Sequence, residues 1–163
     1  MDSERFEVRR KILASPSSIF RYLRDPAGHV AIDSSGMLMS AEGDQVTGVS
    51  DTFVIHMDRE ALNDYPLGLY DVVVTITKFV EDREIAWTVA GIVHPSIGHV
   101  YGYVLEPVDD ATLVTSYYDW SNISQEWRDR AIFPVIPESA LRATLGILAR
   151  NVMRNDAASN TGG

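Results

Sequence analysis

Apolar residues recur at every second position through most of this chain, and at every third or fourth position near its end. The first spacing is that of a half-buried strand, the second that of one face of a helix. Phe6, Val8 and Ile12 alternate with Glu7, Arg9 and Lys11, which predicts a strand. Ser15-Pro16 then opens a helix, with serine as N-cap and proline as first residue. Ile19, Phe20 and Leu23 form its apolar face, Arg21 and Arg24 its wet face, and Asp25-Pro26 ends it. A short helical piece at 27–32 and a turn at 33–36 lead into a strand at 37–41.

Strand 49–58 sets Phe53, Ile55 and Met57 against Thr52, Val54 and His56. Strand 69–79 opposes Val72, Val74 and Ile76 to Val73, Thr75 and Thr77. After the turn at Glu81-Asp82, Ile85, Trp87 and Val89 alternate with Glu84, Ala86 and Thr88. Tyr101, Tyr103 and Leu105 alternate with Gly102, Val104 and Glu106. In the last strand Val114, Ser116, Tyr118 and Trp120 share one side, with Leu113, Thr115, Tyr117 and Asp119 on the other. Segment 59–68 has no clear period and reads as a loop or a short irregular helix, and as a mobile flap; segment 91–98 reads as a second loop.

The closing segment 137–154 changes the period. Leu141, Leu145, Leu148 and Val152 fall at steps of four, three and four, with Arg142, Arg150 and Arg154 opposite. Pro137 suits the first helical position, where its missing N–H has no intrahelical partner. The linker 122–136 carries Trp127 and Phe133 and is expected to pack. The tail 155–163 is small and polar and is expected to be disordered. One strand, two helical pieces, a run of antiparallel strands and one long helix make an α+β layout, with helices on one face of a curved sheet.

Composition narrows the function classes. The chain has 163 residues, 45% hydrophobic and 23% charged, which suits one domain with a real core. Net charge is −9, opposite to what nucleic acid or an anionic membrane selects. No run is long and apolar enough to span a membrane, and MDSERFEVRRK lacks the apolar core of a signal peptide. Cysteine is absent, so thiolate chemistry and cysteine-ligated zinc are excluded, and a cytoplasmic protein is the simplest reading.

Four stretches carry a family resemblance. They are ILASPSSIFRYLRDP (12–26), HVAIDSSGML (29–38), TKFVEDREIAWTVAG (77–91) and GHVYGYVLEPVDDATLVTSYYDWS (98–121). In this order they resemble the START-like, Bet v 1-like (SRPBCC) superfamily, in its polyketide cyclase/dehydrase branch. The resemblance implies a helix-grip fold: a curved seven-stranded antiparallel sheet wrapped around a long C-terminal helix, with two short helices after the first strand. It also implies an elongated apolar cavity between sheet and helix. Two features depart from the pattern. The last hairpin turns at Asp109-Asp110-Ala111 where a glycine pair is expected, and Tyr101 stands at a tryptophan-like position.

Phe53, Met57, Val74, Ile76, Trp87, Tyr101, Tyr103, Ser116, Tyr118 and Trp120, with Leu141, Leu145 and Leu148 from the helix, are then the expected lining of a ligand site. Aliphatic members of this set also suit a plain core. Buried Tyr and Trp carry a polar atom that needs a partner, and several on one concave face suit a small-molecule site.

The candidates for chemistry are fewer. Tyr103, Arg10, His99 and Asp119 are the residues a cyclase or dehydratase could use as base or donor. Strand parity turns Arg10 inward. It is either an edge-strand arginine that snorkels to water or a cation inside the cavity. Asp119 falls on the outer face unless a bulge turns it in. His29, His56 and His94 read as surface or loop histidines, and His99 begins a strand with an aromatic inner face. Asp33 reads as a turn or cap residue. No metal-ligand spacing, phosphate loop, catalytic triad or paired-carboxylate motif is present, and no cofactor is implied.

These readings converge on a binding or carrier protein for a hydrophobic small molecule such as a lipid, polyketide or aromatic metabolite. The alternatives are a polyketide cyclase/dehydratase-type enzyme, or a protein-interaction module whose core is filled and whose loops 59–68 and 91–98 form the contact surface.

Overall fold

A computed structural model describes residues 3–62, 68–91 and 97–161. Seven antiparallel strands form one sheet. They are β1 (Arg5–Ile12), β2 (Leu38–Glu42), β3 (Thr52–Asp58), β4 (Leu69–Val80), β5 (Glu84–Gly91), β6 (Val100–Val108) and β7 (Ala111–Asp119). The order across the sheet is β1-β7-β6-β5-β4-β3-β2. The helices are α1 (Pro16–Leu23), α2 (Pro26–Ile32), α3 (Gln125–Asp129) and α4 (Glu138–Thr161), and Arg59–Leu62 forms one 3-10 turn. The expected α+β helix-grip architecture is the one observed. The flap expected at 59–68 and the loop at 91–98, with His94, fall largely outside the described residues.

Local chemistry sets the element ends. The Ser15 hydroxyl accepts the Ser18 N–H at 3.2 Å, and Pro16 follows at the first helical position. Asp25-Pro26 ends α1 as expected, and it also starts α2: the Asp25 carboxylate accepts the Ala27 N–H at 3.1 Å. Gly28 lets the two helices touch, because a Cβ there would lie 2.0 Å from the Tyr22 carbonyl oxygen. Asp33 gathers the following turn, accepting from the N–H groups of Ser35, Gly36 and Leu38 and from the Ser35 hydroxyl. The capping role expected for it is the role it has.

Three boundaries differ from expectation. Residues 49–51 stay outside β3, because the Asp51 carboxylate closes a loop by accepting the N–H groups of Thr47 and Gly48. Pro137 is not inside α4. Its carbonyl accepts the Ala140 N–H at 3.0 Å from just ahead of the helix. At the other end, α4 continues to Thr161, past the expected end at 154. Alanines at 157 and 158 carry the helical propensity that small polar composition concealed.

The sheet register also corrects one face. A bulge between Ile76 and Lys78 shifts β4, so that Phe79 pairs with Ile85 and turns toward the helices. Its ring meets Phe20 at 5.4 Å, edge to face. On the helix side, Leu141, Leu145, Leu148 and Val152 are all buried, as the helical spacing predicts. Ser34 fixes α4 along its axis by donating to the Ala140 carbonyl at 2.8 Å, with the Thr144 hydroxyl also at 2.8 Å.

Candidate functional site

The concave face of the sheet is rich in aromatic rings at one end. Trp87 stacks with Tyr101 at 6.0 Å, Tyr101 lies 4.3 Å from Tyr118, and Tyr118 stacks with Trp120 at 5.3 Å. Tyr103 sits 5.8 Å from Trp87 on the other side. These contacts follow from register. Trp87 faces Tyr101 across β5–β6, Tyr101 faces Tyr118 across β6–β7, and Tyr103 faces Ser116. Offset and edge contacts of this kind stabilise by about 0.5–1.5 kcal/mol each beyond the area they bury.

His99, just ahead of β6, lies against this cluster. Its ring meets Tyr101, Tyr118 and Phe133 edge to face at 5.3, 5.6 and 5.6 Å. The residue is 4% exposed. Nδ1 is 2.8 Å from the Tyr118 hydroxyl; Nε2 is buried and makes no hydrogen bond of full geometry among the described residues, while the Val89 backbone acts on the ring as a hydrogen-bond acceptor. Burial pushes the imidazole down to about 4, so it is neutral at physiological pH. Burial likewise raises the phenols of Tyr101, Tyr103 and Tyr118, which stay protonated. The rings thus present apolar faces with neutral polar tips, while the charges of Arg59 and Asp33 act on Tyr101 and Tyr103.

The strands part at this point. Pairing of β5 with β6 stops at Trp87–Tyr101, although β5 runs on to Gly91. Beyond it the Thr88 hydroxyl donates to the His99 carbonyl at 2.8 Å. Val89 and Tyr101, at the parted end, are only partly buried.

Of the expected lining, Phe53, Met57, Val74, Ile76, Trp87, Tyr103, Tyr118, Trp120, Leu141, Leu145 and Leu148 are buried in one cluster, Tyr101 packs against it, and Ser116 is buried as well. Arg10 does not join them. Its side chain is exposed and passes over Gly146 of α4, the edge-strand outcome. Asp119 stays on the outer face, as alternation predicts. It accepts from Arg5 at 3.1 Å and from the Ser121 hydroxyl at 2.6 Å. Partial burial disfavours its charge, and the Ser121 and Arg5 hydrogen bonds outweigh that and lower its pKa. Neither Arg10 nor Asp119 is placed to act on a molecule held between sheet and helix.

His29 is a correction. It was expected at the surface or in a loop, and it is a buried core residue. Its Nε2 donates to the Leu23 carbonyl at 2.8 Å, and its ring meets Trp87 at 4.7 Å and Phe53 at 5.2 Å. Its position three residues before buried Ile32, on one helical face, was the available signal. Phe133 was also missed as a site residue, since a linker has no period to read. His56 does lie at the surface, bridging Asp71 at 2.6 Å and Glu42 at 3.6 Å.

Two concavities lie elsewhere. One, of about 400 Å³, crosses the outer face beside Tyr117, Lys78 and Glu84. The other, of about 290 Å³, lies among α1, α2 and α4 beside Tyr22 and Asn155. Neither opens between the sheet and the leucine face of α4. Among the described residues no group of histidines and carboxylates is arranged to hold a metal ion, and no helix is long and apolar enough to cross a membrane.

No family model matches the chain, and no curated protein matches it. Solved structures do. A protein from Nitrosomonas europaea is 14% identical with a TM-score of 0.66, covering 97% of this chain and 99% of that one. A protein from Mycobacterium smegmatis is 14% identical with a TM-score of 0.62, covering 96% and 94%. The Zhui aromatase/cyclase from a Streptomyces species is 12% identical with a TM-score of 0.63, covering 92% and 93%. At these identities the likeness is one of fold. The chain shares with these structures the helix-grip fold, a seven-stranded antiparallel sheet with a long C-terminal helix.

Proposed function

We propose that this protein binds a hydrophobic small molecule on the concave face of its sheet, at the aromatic end formed by Trp87, Tyr101, Tyr103 and Tyr118. One observation carries the reading: rings tipped with neutral polar atoms converge where β5 and β6 part, and Tyr101 there is only partly buried. That combination of apolar walls and a few polar tips is the usual make-up of a small-molecule site. The rings pack on one another, so a guest enters by displacing them, beginning at Tyr101. The solved aromatase/cyclase of the same fold adds weight to an aromatic or polyketide-like guest.

Native mass spectrometry and solvent extraction of the purified protein test this directly, followed by melting curves with fatty acids and aromatic compounds. A ligand at a hundred times its Kd stabilises by about 2.7 kcal/mol, which is several degrees in Tm. A protein that emerges empty and does not respond to the panel overturns the proposal.

The buried leucine face of α4 favours a second reading, an interaction module with a filled core. Leu145 is 1% exposed. In a filled core Leu145→Trp is expected to cost about 1–3 kcal/mol through overpacking, read as a lower urea midpoint. A variant that keeps its midpoint but loses the ligand-induced rise in Tm places a cavity beside Leu145 and removes the second reading.

A further inference from the structure

Arginines recur along α4 at whole multiples of four residues, and the helix dipole does not account for them. Arg142, Arg150 and Arg154 fall at i, i+8 and i+12, so they share one ridge of the helix surface. Cations near a helix C-terminus complement its dipole, and that effect is confined to the last turn. Here α4 runs on to Thr161, and its last turn holds no basic residue. The missing rung at i+4 is Gly146, and β1 fills it. A guanidinium nitrogen of Arg10 stands 3.7 Å from where a Cβ at Gly146 would lie. Four guanidinium groups thus mark successive turns along about 18 Å of α4, at about 1.5 Å per residue.

This row is left open where other cations are paired. Arg5, Arg24, Lys78, Arg128 and Arg130 each meet a carboxylate. Arg142 meets Glu138 at 2.8 Å, in a pair exposed on both sides. Arg10, Arg150 and Arg154 make no ion pair among the described residues. The other acid of α4, Asp156, lies with Tyr22 and Asn155 on the side facing α1 and α2. Like charges one turn apart weaken a helix slightly. A chain with 23 Asp and Glu residues and a net charge of −9 has ample carboxylates to neutralise such a row, yet none is placed there. Exposed Met153 offers an apolar contact beside the charges.

We propose that this ridge docks an acidic helix of a partner protein, whose carboxylates at i, i+4 spacing meet the arginines rung by rung. A helix matches because its own ridge advances by the same step, about 6 Å, so register holds over all four groups. An extended strand advances about 6.8 Å between residues on one face and drifts by about 2 Å over three steps. A long polyanion fits less well. The rest of the surface is acidic, and a nucleic acid reaching past the row would meet like charge within a Debye length of about 8 Å. The row lies opposite the buried leucines of α4, so docking there is independent of any guest on the concave face.

Fluorescence anisotropy of the full chain in low salt tests this with two labelled alanine-based helical peptides of one composition. One carries four glutamates at successive i, i+4 positions, and the other scatters them around the helix. The in-register peptide is expected to bind about tenfold more tightly, because only it meets the whole row at once. Arg10→Glu and Arg150→Glu, on separate elements, are each expected to abolish that preference. Both side chains are exposed, so urea midpoints stay close to the parent's. Arg83→Glu makes the same change in net charge on the exposed turn between β4 and β5, and leaves the preference intact. Equal affinity for the two peptides overturns the proposal, since net charge alone then accounts for binding. A single-stranded oligonucleotide of equal charge that binds more tightly than the in-register peptide overturns it in favour of nucleic acid. Binding of neither peptide overturns it outright. Each of these outcomes leaves the reading of the concave face as it stands.

Discussion

Lowering the pH from 7 to 4 is expected to remove about 3 kcal/mol of stability through His99 alone. The folded imidazole titrates at about 4 because burial disfavours its charge. The unfolded one titrates near 6.5. Between those values the unfolded chain binds a proton that the folded chain does not, so stability falls as pH falls. A shift of about 2.5 units at about 1.36 kcal/mol each gives the size. His29 is buried and lowered by the same cause, and acts in the same direction. His56 acts oppositely. Its hydrogen bond to Asp71 raises its pKa, so its contribution is present in acid and is lost as pH rises through the raised value. His56 is exposed to solvent and screened by salt. Urea midpoints measured from pH 7 to 4 are expected to fall steeply for the parent and less for His99→Phe. Equal slopes in the two proteins would mean that the imidazole charges freely where it sits, against its burial.

Replacing Gly28 with alanine is expected to cost about 3 kcal/mol or more. The added Cβ would lie 2.0 Å from the Tyr22 carbonyl oxygen and 2.8 Å from its carbon. Both atoms are backbone of α1, so no rotamer change relieves the clash, and α1 and α2 must separate. The damage reaches the site, because His29 follows Gly28 in the chain and packs on Trp87. The urea midpoint of Gly28→Ala is expected to drop, and Trp87 emission to shift as its edge partner withdraws. A variant with the parent's midpoint would show that the two helices are not in contact at Gly28.

Much of this could be read from the sequence. Alternation placed Trp87, Tyr101, Tyr103, Tyr118 and Asp119 on their correct faces, because a strand's side-chain period is two and a buried face holds it in register. The steps of four, three and four in α4 named its buried leucines for the same kind of reason. What could not be read was mostly non-local. The bulge that turns Phe79 inward is a property of two paired strands and leaves no mark on one of them. Phe133 reaches His99 from a linker without any period. His29 was misplaced because a polar residue type was weighed above its position on a helical face. The resemblance implied an elongated apolar cavity between sheet and helix, and the leucines of α4 that would line it are buried. Whether side chains or a guest occupy a concave face depends on shape in three dimensions, which composition does not encode.

The exposed path of Arg10 bears on how copies of this protein meet. β1 is one free edge of the sheet, and it carries Arg5, Arg9, Arg10 and Lys11 against a single Glu7. An unpaired edge is a template for another strand. Two such edges brought together antiparallel would crowd cations at close range, while the rest of the surface is acidic, with a net charge of −9 overall. Like charges opposite one another destabilise a strand pair. The guanidinium laid over Gly146 thus acts as a fence. Pairing of two such edges is expected to be disfavoured, and less so in strong salt, which screens exposed charges.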